Sequence, residues 1–242
     1  MAPPALLLLL ADSRLPAGGH AHSGGLEPAA GAGAVSDLGT LAAFLRGRLD
    51  TAGLVTAALS AAACAHAAGE GVDWDGVDCD GADEAQEKPD LWAVLDAEAD
   101  ARMPSPAGRR ASRAQGRSLL RAVRAMAPHR ALDALAAFPA PHHPLVLGAA
   151  VASAGGSPAD AASIAAYGAV TGPASAAVRL LGLDPLAVHQ ALAGLAPRVD
   201  ALAAEAAGYA DGDPRALPAV SAPALDIFAE LHLQADLRLF ES

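Results

Sequence analysis

The sequence predicts an all-α fold, a single-domain helical bundle, on three observations. The 242 residues are 53% apolar but only 3% aromatic. Alanine and leucine, both strong helix formers, must therefore fill the core, while the β-branched and aromatic residues that specify sheets are sparse. Apolar residues recur at helical spacing, as in Leu38, Leu41, Phe44, Leu45 and Leu49. Pairs of a capping residue and a proline, Ser157-Pro158 and Asp184-Pro185, mark helix starts. A chain of this length buries a sizeable core as one domain spanning 1–242.

The elements follow in order. The run Leu6 to Leu10 predicts a buried first helix ending near Ser13, because Pro16, Gly18 and Gly19 follow. It lacks a basic leader and is too short for a signal segment. No later stretch approaches the roughly 20 uninterrupted apolar residues of a membrane span, so a cytoplasmic protein without membrane contact is expected. Arg14 to Gly25 is a Gly/His-rich connector, and a short helix follows over 24–32. Ser36 is the expected N-cap of the next helix, with Asp37 favoured in its first turn by the helix dipole. Gly53 is expected to interrupt that helix before a second continues through Ala67. Helix returns at Leu91 and breaks at Pro104 and Pro106. Ala107 to Met126 forms another, and a further one starts near Pro144. The helix from Pro158 is expected to break at Gly172-Pro173 and to resume over Ala174 to Leu181. The helix after Asp184-Pro185 runs to about Ala207. Residues 209–242 comprise a Pro-rich lead-in and a mobile C-terminal tail with one short helix.

The net charge of −11 is concentrated. Between Gly69 and Asp90 nine acidic residues face only Lys88, which accounts for eight of the eleven net negatives. Like charges and few core-forming side chains beyond Trp74 cannot offset the entropy of ordering, so 69–90 reads as a disordered acidic insertion. The rest is close to neutral and gives no reason to expect nucleic acid. The two cysteines, Cys64 and Cys79, form no framework, which favours a reducing compartment.

No catalytic constellation emerges. His20-Ala21-His22-Ser23 is the densest polar motif, and three readings stay open. The loop satisfies its own backbone, it meets a partner or nickel in transit, or it holds a metal in a small metal-dependent hydrolase using His20 and His22. Ser23 lacks the glycine-flanked elbow of a nucleophile, and no phosphate-binding loop is present. Cys64 and His66 lie in an apolar helix, where a buried cysteine is expected. His142-His143 precedes Pro144 at a helix start, and adjacent histidines diverge. Arg109, Arg113, Arg117 and Arg121 recur every fourth residue and form a basic stripe, broadened by Arg110, Arg124 and Arg130. That stripe is a solvated face, a pairing surface for the acidic helix before it, or the docking face of a generic helical adaptor for an acidic partner. Without interleaved aromatics it does not suit nucleic acid.

Asp12-Ser13-Arg14-Leu15-Pro16-Ala17-Gly18-Gly19-His20-Ala21-His22-Ser23-Gly24-Gly25-Leu26-Glu27 resembles the N-terminal signature of the urease accessory UreF family. Ser112 to Arg117 resembles that family's middle helix, His142-His143-Pro144 its His-Pro step, and Ser175 to Leu180 a late core helix. Pro223-Ala224-Leu225-Asp226-Ile227, then His232, then Arg238-Leu239-Phe240 resembles its tail. The chain departs from many relatives at His20, where they carry an aromatic, and at Leu233, where they carry Glu.

The resemblance implies an all-α homodimer that is not an enzyme. It implies a chaperone role in nickel insertion, the metallocentre assembly of urease. The implied partners are a UreD/UreH-type scaffold, a UreG-type GTPase and the urease apoprotein, without nucleic acid or membrane. No tightly bound cofactor or resident metal is implied, and nickel passes in transit. Carried over on the matching positions, Asp226, His232, Arg238 and Phe240 are candidates for the scaffold-facing contact. Glu27, Arg179 and the loop residues Pro16, Gly18, His20, His22 and Ser23 are candidates for structure or partner contact. Arg113 and Arg117, from the basic stripe, are the candidates for docking an acidic partner.

Overall fold

With so few large side chains, helices must approach closely to exclude water, and small residues set the distances between them. The computed structural model describes residues 5–12, 15, 21–69, 90–235 and 238–240. Nearly all of the expected acidic insertion, together with Pro16, Gly18 and His20, lies outside the described residues.

The described elements are all helical. They are α1 (Ala5–Ala11), α2 (Leu26–Gly31), α3 (Leu38–Arg48), a π turn (Leu49–Gly53) and α4 (Leu54–Ala68). Then come α5 (Leu91–Ala101), α6 (Pro106–Met126), α7 (Arg130–Ala136) and α8 (His143–Ser153). The chain continues with α9 (Pro158–Leu181), α10 (Pro185–Ala207), a 3-10 turn (Pro214–Ala216) and α11 (Pro223–Leu233).

Helix α4 is the axis of the bundle, packed against α8, α9 and α10. From Leu54 to Ala67 only Thr56 and His66 escape full burial, as expected for a helix apolar on every face. Its crossing with α8 is set by Gly148. A Cβ at that position would lie 2.3 Å from the Ser60 carbonyl oxygen and 2.7 Å from both the Ala63 Cβ and the Cys64 nitrogen. Cys64 is buried, its Sγ 3.9 Å from the Gly156 carbonyl oxygen, and His66 meets Trp92 edge to face at 4.7 Å.

Local caps start the helices where the sequence placed them, with two adjustments. Ser157 accepts from the Asp160 N–H while Asp160 accepts from Ser157, and Asp184 caps at Leu186. The third helix is capped by Asp37 rather than Ser36. Asp37 accepts from the Thr40 N–H at 2.8 Å, and Thr40 Oγ1 accepts from the Asp37 N–H at 3.0 Å, a reciprocal box open to Asp37 alone. Ser105-Pro106 is a third capping pair, with Ser105 accepting from the Gly108 N–H.

Two expected interruptions do not occur. Gly53 keeps helical dihedrals, and the chain passes from α3 to α4 through one widened π turn. Proline at 173 does not break α9. It has no N–H to offer the carbonyl of Ala169 four residues earlier, and Arg48 supplies that donor, its Nε–H reaching Ala169 O at 3.1 Å. Leu38–Ala68 and Pro158–Leu181 therefore run long and apolar enough, by length and composition, to cross a membrane. Here they pack against each other inside the bundle.

Candidate functional site

The two ends of the chain meet on one face. Glu27 stands in the first turn of α2, and Ser23 Oγ accepts from its N–H at 3.1 Å. The Glu27 carboxylate then accepts from two backbone N–H groups of the tail, Leu239 at 2.8 Å and Phe240 at 2.9 Å. Hydrogen bonds to a carboxylate are the strong kind. His232, in the last turn of α11, is 3.6 Å from Glu27 and donates through Nε2 to Phe240 O at 3.0 Å. The Phe240 ring is buried, with the Arg179 guanidinium 4.5 Å above its centre, a cation–π arrangement. Glu27, Arg179, His232 and Phe240 thus form one cluster, while Arg238 lies exposed beside it.

The base of the tail is clamped separately. Glu230 Oε1 accepts from Ser105 Oγ at 2.6 Å and the Ala107 N–H at 2.7 Å, and the first of these holds its carboxyl below the ordinary range. Asp226, one turn earlier, is half-buried. Burial pushes its carboxyl up, against a hydrogen bond from the Ser105 backbone. The Arg102 guanidinium pairs with Glu98 and donates to the carbonyls of Arg215, Leu217 and Pro218, which fastens the Pro-rich lead-in to α5.

The basic stripe divides. Arg113 turns inward and grips Asp96 at 2.9 Å, Asp100 at 2.7 Å and the Ala140 carbonyl at 2.6 Å. This is pairing with the acidic helix before it. Burial pulls the Arg113 guanidinium down, but its hydrogen bonds to the two carboxylates outweigh that and raise it. Arg109 donates to the carbonyls of Met103 and Pro104. Arg110, Arg117 and Arg121 are exposed, and Arg124 pairs with Asp133.

The adjacent histidines diverge. His142 is enclosed, with Nε2 2.9 Å from Asp100 and Nδ1 3.0 Å from Ser112 Oγ. Burial drives its pKa down. The ring is therefore neutral, donating to the carboxylate and accepting from the hydroxyl. His143 faces a cleft between α3, α6 and α11 instead. Burial, followed by the charge of nearby His22, pushes its pKa down to about 4. His22 and Ser23 are themselves buried. Asp96, Asp100 and His142 offer ligand atoms within 4.8 Å of one another, a donor set that suits a divalent cation by type. The Arg113 guanidinium already bonds both carboxylates and supplies the positive charge there.

Sequence reasoning missed Asp96, Ser112, Glu230, Arg102 and Arg48. The one signal was the spacing of Asp96 and Asp100, which places both on one face of α5 toward Arg113.

The model of the UreF family matches residues 35–196, from the loop before α3 into α10. The chain belongs to the UreF family. The likeness to individual members extends beyond those bounds. The urease accessory protein UreF of Mycolicibacterium vanbaalenii is 42% identical over 238 residues, covering 98% of both chains. That of Mycobacterium sp. (strain JLS) is 44% identical over 236 residues, covering 98% of this chain and 97% of its own. That of Mycobacterium tuberculosis (strain H37Rv) is 40% identical over 241 residues, with 98% of each covered. Similarity to UreF proteins therefore reaches the two ends that meet at Glu27, which the family model alone leaves out.

Proposed function

We propose that this chain is a non-catalytic accessory protein of urease maturation, working in the cytoplasm as a homodimer. It acts with a UreD/UreH-type scaffold and a UreG-type GTPase to incorporate nickel into the urease apoprotein. Membership of the UreF family and end-to-end similarity to proteins named urease accessory proteins support this reading. The observation that carries the partner assignment is the outer face of the docked tail. Ile227, Leu231 and Leu239 are 59%, 55% and 77% exposed, an apolar surface that an isolated chain does not usefully present to water. The scaffold protein covers this face.

Deleting residues 222–242 is expected to leave a folded dimer that no longer co-purifies with the scaffold partner. The core around α4 makes few contacts with α11, which packs on α2 and α6. Far-ultraviolet circular dichroism and gel filtration check the fold, and pull-down from co-expressing cells checks the partner. Undiminished co-purification of the truncated chain would refute the assignment.

A further inference from the structure

Among the described residues no carboxylate pairs with the Arg48 guanidinium. Its Nε–H is committed to the Ala169 carbonyl that Pro173 leaves open. The nearest acidic residue in sequence, Asp50, is paired with Arg198 at 2.7 Å. Burial pulls the Arg48 pKa down to about 10 with no carboxylate acting against it. The other two arginines enclosed nearby are matched, Arg102 with Glu98 and Arg113 with Asp96 and Asp100. Among the described residues that line the cleft, Arg48 is the cation that lacks an anion.

The cleft around it is built for a small guest. Its volume is about 220 Å³, and Arg48, Ser112, Gln115, His143 and Asp226 share its wall. Gly24, at φ +63, lets the guanidinium pack against the backbone, since a Cβ there would stand 3.0 Å from the Arg48 Cζ. With Nε taken, the two terminal nitrogens remain as a forked edge. That edge matches the two oxygens of a carboxylate, which a lysine point charge cannot do. His143 is neutral at physiological pH, Arg102 is matched by Glu98, and the Asp226 carboxyl in the same wall works against a second negative charge, so the cleft suits a monoanion better than a dianion.

We propose that this cleft binds a small monoanionic carboxylate-type oxyanion on the terminal nitrogens of Arg48. The cleft adjoins the docked tail, whose Leu225, Asp226 and His232 share its wall, but the anion site centres on Arg48, which belongs to neither the tail cluster nor the Arg113 network, and no part of the urease reading assigns it.

The test uses the full-length chain at constant ionic strength in chloride, titrated in turn with acetate, formate, bicarbonate and sulfate. Arginine side-chain 15N–1H resonances and the thermal midpoint are followed. One guanidinium signal should shift saturably with the monoanions, and the midpoint should rise. That signal should be missing from Arg48→Lys, which keeps a charge and a donor for Ala169. Affinity in that variant should fall about tenfold or more, because the fork is lost. An absence of saturable shift with every anion, undiminished affinity in Arg48→Lys, or a preference for sulfate would each overturn the proposal. If Arg48→Lys does not fold, backbone amide shifts in the wild-type chain decide. Shifts confined to Gly24, Gly25, Gln115 and their neighbours in the cleft support the site, and shifts confined elsewhere sink it.

Discussion

Gly148→Val should leave no cooperatively folded protein. The position has no room for any side chain, because a Cβ would be driven to 2.3 Å from the Ser60 oxygen and 2.7 Å from the Cys64 nitrogen. Both are backbone atoms of the central helix, so no rotamer change relieves the clash. Relief requires α8 to withdraw from α4, which opens the contacts of buried Leu59, Leu145 and Val151 together. Ordinary overpacking costs about 1–3 kcal/mol. Parting two core helices should exceed about 4 kcal/mol, a large share of the roughly 5–15 kcal/mol that holds a typical domain. Even Gly148→Ala should lower the urea midpoint sharply. The contrast is Gly168→Ala in α9, where a Cβ meets nothing within 4 Å. Removing a helical glycine there should stabilise by roughly 0.5–1 kcal/mol. Equal midpoints for the two alanine variants would show that the α4–α8 crossing does not limit stability.

The second large effect is expected at Glu27. Its carboxylate holds Leu239 and Phe240 by their N–H groups across 212 and 213 residues of sequence. Glu27→Ala removes both acceptors and the charge beside His232. Each charge-assisted hydrogen bond is worth about 1.5–3 kcal/mol, enough to hold or release a terminal segment without unfolding the body. Amide exchange at Leu239 and Phe240 should lose its protection, the α4 core should keep its own, and co-purification with the scaffold partner should fall. Glu27→Gln keeps one acceptor oxygen and should fall between the two. Unchanged exchange at Phe240 in Glu27→Ala would mean that the ring under Arg179, not the carboxylate, docks the tail.

These two sites show what could be read from the sequence and what could not. Helix starts at Ser157-Pro158 and Asp184-Pro185 were legible because a cap bonds within its own first turn. Gly53 and Pro173 misled because the remedy is distant or shared. A π turn absorbs the first, and Arg48, 121 residues from Ala169, satisfies the carbonyl exposed by the second. The short helix α7 went unseen, being only seven residues long. The arginine stripe was legible as a pattern but not as a single surface. Steps of four residues precess by about 40° each on a helix, so Arg109 and Arg113 turn inward while Arg117 and Arg121 face water. Glu27, Arg179, His232 and Phe240 were each singled out, yet nothing in the sequence says that they touch. Asp226 and the exposed Arg238 stood on the same footing.

The central claim is that this UreF family member serves the nickel loading of urease. The most direct measurement is the nickel content and activity of urease purified from cells carrying the whole urease gene set, with and without this gene. Nickel-poor, inactive urease that regains metal and activity when the gene is restored is the predicted result. Fully loaded urease in its absence would contradict the account.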